Sequence, residues 1–189
     1  MYGLPSGISK TSLACPIAGS FPVAWEYRAV TAEGQPGRRR ETAGVIAPPP
    51  VIFLGFLGLG FALEGLLPGG DLPVAVQWLG AVVILAGVAL MLSFEIAFKR
   101  VGTDANPYRP STALATSGAY RFSRNPGYLG MAVTYVGIAL AADAPWTLVM
   151  VVPALVVIQL GVIAREERYL ERLFGEGYLS YKRTTRRWI

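Results

Sequence analysis

LPVAVQWLGAVVILAGVALMLSFEIAF, residues Leu72 to Phe98, is apolar apart from Gln77, Ser93 and Glu95. At about 1.5 Å of rise per residue its helix is longer than the roughly 30 Å hydrocarbon core of a bilayer, so it spans that core and tilts or projects into the headgroups. Upstream, a second apolar stretch runs from Val51 to Leu67, bounded by Pro48, Pro49 and Pro50 before it and by Pro68, Gly69 and Gly70 after it. Downstream lie two shorter ones, Tyr128 to Ala142 and Trp146 to Ala164, the latter with Pro153 in its middle. The turn Asp143-Ala144-Pro145 makes these two a tight helical hairpin. The fold class expected is all-α: a polytopic membrane helix bundle of about four transmembrane helices plus a cytoplasmic C-terminal helix.

Composition agrees. Of 189 residues, 53% are hydrophobic and 15% charged, and the mean hydropathy is +0.45, which leaves too little polar surface to cover a water-soluble core. Histidine is absent and Cys15 is the lone cysteine. That excludes Ser/His/Asp and Cys/His nucleophilic sites, an imidazole proton shuttle, an internal disulfide and a His- or multi-cysteine metal centre. The net charge of +5 accompanies no nucleic-acid-binding pattern, and in an apolar chain basic loops face an anionic leaflet.

Residues 1 to 44 are polar and turn-rich and read as a disordered tail, leaving 45 to 189 as the membrane domain. The run Arg38-Arg39-Arg40 resembles the start of an export signal, but the apolar stretch beyond it is too long for a signal core. An over-extended gene start fits these first forty residues.

Loop charges give an independent count of crossings. Five Lys or Arg precede the first segment, five follow the second (Lys99, Arg100, Arg109, Arg121, Arg124) and seven lie from Arg165 onward, whereas the turns around Asp71 and Asp143 have none. Lys and Arg accumulate on the cytoplasmic side, so both termini and the long middle loop are expected there. Two carboxylates interrupt the apolar segments, Glu64 and Glu95; both stand within about two turns of an interface, where they reach water. Gly55, Gly58 and Gly60, and Gly80 with Gly87, are expected to let helices pack closely.

The chemistry concentrates at the cytoplasmic side. Asn125 followed by Pro126 ahead of an apolar run is a helix start, with Asn at the N-cap and Pro at the first helical position. Free backbone donors and the positive end of the helix dipole, beside Arg121 and Arg124, then make an anion site. Glu166 and Glu167 follow the fourth segment; adjacent helical positions diverge by about 100°, so one faces inward and the other braces an arginine. With the rings of Tyr120 and Tyr128, this suits a zwitterionic ligand that also has a cationic or π-rich part. S-adenosylmethionine has that chemistry.

The stretch TSGAYRFSRNPGYLG from Thr116 to Gly130, with EERYLERLFGEGYLSYKRTTRRW from Glu166 to Trp188, resembles the isoprenylcysteine carboxyl methyltransferase and phospholipid methyltransferase family of integral membrane enzymes. The pattern is Gly-x-Tyr-Arg, Arg-x-Pro-x-Tyr-x-Gly and Glu-Glu-x-x-Leu-x-x-x-Phe-Gly-x-x-Tyr-x-x-Tyr, and the resemblance covers residues 41 to 189. It implies an S-adenosylmethionine-dependent methyltransferase whose lipid-like acceptor enters from the bilayer. The cofactor contacts it implies are Tyr120, Arg124, Asn125, Pro126, Tyr128, Gly130, Glu166 and Glu167. Arg124, Glu167 and Arg186 would carry catalysis, Arg186 as a cation on the substrate side. The family usually has His where this chain has Asn125, which removes a titrating base.

Methyl transfer from a sulfonium is a direct displacement that needs an in-line nucleophile more than an acid, and a carboxylate or thiolate arrives already ionised. The residues therefore favour an acidic or thiol acceptor on an apolar tail. Two alternatives stay open at this point: an NADPH-dependent membrane enzyme of the sterol-reductase type, and a non-catalytic membrane scaffold that keeps the fold. The sequence does not set the oligomeric state.

Overall fold

The computed structural model describes residues 30–31, 43–67, 69–101 and 113–189. Apart from residues 30, 31, 43 and 44, the tail expected over 1 to 44 lies outside the described residues. The architecture is a helix bundle. Among the described residues a two-residue antiparallel ladder accompanies it, β1 (Val30–Thr31) against β2 (Ala113–Leu114).

Helix α1 covers Pro49–Leu66 with prolines in its first turn, where a missing N–H costs nothing. Helix α2 covers Val74–Val101, and α3 covers Pro126–Ala141 with Pro126 at its first position. Helix α4 (Pro145–Ile158) passes through a π-helical turn, Gln159–Ile163, directly into α5 (Ala164–Phe174). Beyond Gly175 a short helix α6 runs over Glu176–Thr184. Among the described residues three helices are long and apolar enough to cross a membrane: Pro49–Leu66, Val74–Ala97 and the continuous Pro145–Phe174. The fourth apolar helix, α3, has 16 residues and is about 24 Å long, short of the hydrocarbon core.

The main interface joins α2 to α3, and a second joins α1 to α4. Glycines set the first one, because lipid tails are as apolar as leucine and helices in a bilayer associate through close van der Waals contact. Gly80 meets Gly137 and Gly87 meets Gly130, each helix repeating the residue after seven positions in antiparallel register. A Cβ at Gly137 would stand 2.6 Å from the Ile84 nitrogen, and one at Gly130 would stand 2.7 Å from Met91 Cγ. On α1 only Gly60 packs in this way, against Thr147, while Gly55 and Gly58 face open space. The expected close packing at these two is therefore corrected: they lie on the outward face of the helix, which the sequence run alone does not distinguish.

The turns at the end away from the basic loops are tied together by carboxylates. Helix α4 begins after Ala144, which offers no side-chain cap. Glu64 of α1 supplies one: its Oε1 accepts hydrogen bonds from the backbone N–H of Trp146 and, at 3.1 Å, of Thr147. Two orphan donors and the positive end of the helix dipole are thus satisfied from a neighbouring helix. Asp143, in the left-handed region at φ 53°, accepts from the Leu72 N–H at 2.6 Å. The role of Glu64 is accordingly an interhelical cap, and Glu95 is exposed.

The apolar centre packs Phe53 of α1, Tyr135 of α3 and Ile158 of α4 around the π turn, where Val162 and Ile163 are fully buried. Tyr135 satisfies its hydroxyl by donating to the Thr147 carbonyl at 3.0 Å. A second cluster, Ala97, Leu114, Tyr120, Phe174, Tyr178 and Tyr181, closes the opposite end of the molecule.

Candidate functional site

That second cluster underlies the site. A 3-10 turn over Gly118–Arg121 leads to Ser123, Arg124 and Asn125 at the start of α3. Tyr181 of α6 fixes the turn by donating to the Tyr120 carbonyl at 2.7 Å. Burial pushes the phenols of Tyr120, Tyr178 and Tyr181 above their ordinary range, so all three stay protonated and can act only as neutral donors or acceptors at physiological pH.

Helix α5 is amphipathic, and its inward face carries Glu167, 5% exposed. A carboxylate this deep needs partners, and two arginines provide them. Arg187 forks onto it, Nε to Oε1 at 3.0 Å and Nη2 to Oε2 at 2.5 Å, and Arg124 Nη2 lies 3.3 Å from Oε1. Hydrogen bonding to Glu167 raises the Arg187 pKa further, so the guanidinium keeps its charge. Within this cluster one carboxylate answers two guanidiniums.

Arg124 is the more buried of the two arginines. Its side chain is 9% exposed, and its Nε and Nη1 are buried with no hydrogen-bond partner among the described residues. Buried donors left unmade cost roughly 1–3 kcal/mol each, more when charged. The Nε/Nη edge of a guanidinium is the face that receives a carboxylate or phosphate through two parallel hydrogen bonds. In Arg124 the Nη2 shared by both such edges is held by Glu167, so Nε and Nη1 stand on either side of it as two separate donors, each able to give a charge-assisted hydrogen bond to an anion.

The adjacent carboxylate is arranged differently. Glu166 Oε1 accepts from the Tyr128 hydroxyl at 2.7 Å, and Glu166 and Glu95 both act electrostatically on Tyr120. The two acids one residue apart therefore diverge as helical geometry requires: Glu167 braces arginines, Glu166 faces the tyrosine side at the start of α3. Pro126 is fully buried, and Gly130 lies against Gly87 and Met91 of α2.

The C-terminal residues cross the start of α3 as a strap. The Arg124 N–H donates to the Arg186 carbonyl at 2.9 Å, and the Ser123 hydroxyl donates to the Arg187 carbonyl at 3.2 Å. Asn125 Nδ2 donates to that same carbonyl at 3.0 Å. Trp188 Nε1 reaches Gln159 Oε1 of the π turn at 3.0 Å. Asn125 therefore occupies the N-cap position without capping, its side chain spent on the strap. Arg186 is exposed; its neighbour Arg187 is the arginine that enters the cluster. Sequence reasoning missed Arg187, Ser123 and Gln159. Thr185 is buried, and in extended backbone alternate residues share a face, so Arg187 turns inward with it; which of the two alternating faces turns inward is not written in the sequence.

Tyr120, Arg124, Asn125, Tyr128, Glu166 and Glu167 are thus assembled around the start of α3 and the inner face of α5. The family model of phospholipid methyltransferases matches residues 75–177, from the start of α2 into α6 and across all six. Neither the curated proteins nor the solved structures yield a match.

Proposed function

The chain belongs to the phospholipid methyltransferase family, and from that premise we propose that it transfers the methyl group of S-adenosylmethionine to a lipid-like acceptor at the cytoplasmic membrane face. The observation that carries this reading is the buried Arg124 guanidinium, whose Nε and Nη1 have no partner among the described residues and can donate charge-assisted hydrogen bonds to the carboxylate of the cofactor. Glu166 and the rings of Tyr120 and Tyr128 suit its cationic and aromatic parts. When bound, the cofactor supplies a methyl group activated by a sulfonium.

The residues of the chain bind and orient. Arg124 receives the anionic end, Glu167 holds Arg124, and Tyr128 holds the Glu166 carboxylate. The low-dielectric surroundings strengthen each of these contacts. Displacement at a sulfonium needs an acceptor aligned with the methyl carbon, and Glu166 is the carboxylate left to take a proton from an acceptor that must lose one. Exposed apolar side chains on α1 and α2, among them Leu54, Trp78 and Leu85, support an acceptor with an apolar tail arriving through the bilayer. The cytoplasmic placement rests on the Lys and Arg distribution.

The test is calorimetric binding of S-adenosylmethionine to the purified protein in detergent, followed by incubation with methyl-labelled cofactor and extracted lipids. Wild type is expected to bind and to label a lipid fraction, and Arg124→Ala to lose both. Wild-type binding by Arg124→Ala, or preferential binding of NADPH in competition, overturns the assignment; binding without label in any lipid fraction leaves a non-catalytic protein.

A further inference from the structure

The strap is tied to the site by functional groups, not by packing alone. Arg187 contributes twice: its carbonyl accepts from Ser123 Oγ and Asn125 Nδ2, and its guanidinium forks onto Glu167. Glu167 in turn holds Arg124 by Nη2, which leaves Nε and Nη1 as two donors without partner among the described residues. A chain of contacts therefore runs from Asn125 through Arg187 and Glu167 to Arg124. Were Arg187 absent, Glu167 would have both oxygens free for Arg124, and the guanidinium would be drawn into a bidentate pair through Nη2 and one neighbouring nitrogen, which takes away one of its two free donors.

We propose that Arg187 is a positioning residue: latched by Asn125, it saturates Glu167 so that the carboxylate grips Arg124 at Nη2 only and leaves both Nε and Nη1 available to an anionic ligand group. This also gives Asn125 a task that its amide donor performs without titrating, where the resemblance would put a base. The proposal deepens the reading of the site given above and rests on it, with Arg124 as the receiver of the carboxylate.

Two probes that differ in the amino-acid end separate the terms. S-adenosylhomocysteine carries a carboxylate and an ammonium, 5′-methylthioadenosine neither, and the ratio of their dissociation constants reads that end alone. Wild type is expected to favour S-adenosylhomocysteine by about tenfold or more, in line with charge-assisted hydrogen bonds. Arg187→Gln is expected to bring the ratio close to one with methylthioadenosine affinity unchanged, and Arg187→Lys, which keeps charge but not the fork, to restore part of it. An Arg187→Gln protein that keeps the wild-type ratio overturns the proposal and leaves the function standing.

Release of the C-terminal peptide by trypsin, followed by mass spectrometry without any ligand, supplies the second readout. Asn125→Ala and Glu167→Gln are expected to lose the peptide about tenfold faster than wild type, as the strap loses its anchors. Equal rates in all three overturn the latch. A wild-type protein that binds neither nucleoside, with the strap released as expected in the variants, overturns the function and the Arg187 role together.

Discussion

Glu167 concentrates most of the site's electrostatics in one side chain. It is 5% exposed and answers two guanidiniums, so Glu167→Gln leaves positive charge buried without its counter-ion. Removing one partner of a buried pair costs several kcal/mol; since the Arg187 side chain is 36% exposed and can rehydrate, the expected loss is about 2–3 kcal/mol. Denaturant unfolding in detergent measures it, and a variant as stable as wild type would show that the pair holds nothing. The residue types of this site were legible in the sequence, as was the divergence of Glu166 from Glu167, because helical geometry alone dictates it. The choice between Arg186 and Arg187 was not, since it depends on the direction in which extended backbone leaves α6. Asn125 was legible as a helix start, but its side-chain partner comes from residues 62 positions away.

Helices were legible wherever proline or glycine bounded an apolar run, and the boundaries of α1 and α3 fall within two residues of those runs. Which face of each helix packs was not legible, because in lipid both faces are apolar and the pattern that marks a buried side in water is missing. The glycines show the consequence. Gly137→Ala is expected to push α2 from α3 and to cost about 1–3 kcal/mol, as overpacking does, since its Cβ would stand 2.6 Å from backbone. Gly58→Ala, into open space, is expected to be neutral or to stabilise by up to about 1 kcal/mol through helix propensity. Thermal unfolding of the two variants side by side checks the contrast; equal effects would mean that the α2–α3 interface is looser than described.

At the scale of the whole molecule the charges partition by end. Glu64, Asp71 and Asp143 lie at the end of the two short turns, with Arg168, Arg183 and Arg187 at the other beside the site. On the orientation proposed above, a cysteine at Arg168 in a Cys15→Ser background is labelled by an impermeant maleimide only after the cytoplasmic face is opened. One at Asp71 is labelled in intact cells, and the reverse pattern inverts the topology. That division was legible from loop charges, since it needs only composition on either side of each crossing.

The brevity of α3 has a further consequence. Its neighbours α2 and the continuous α4–α5 helix outreach it by a dozen residues or more, and Asn125, Arg124 and Glu167 stand at its near end. A membrane accommodates a short helix by dimpling toward it. The site residues stand at the floor of that dimple, so on the function proposed above the polar end of a lipid-like acceptor comes level with them while its apolar tail stays among the lipids, and delivery requires no extraction into water.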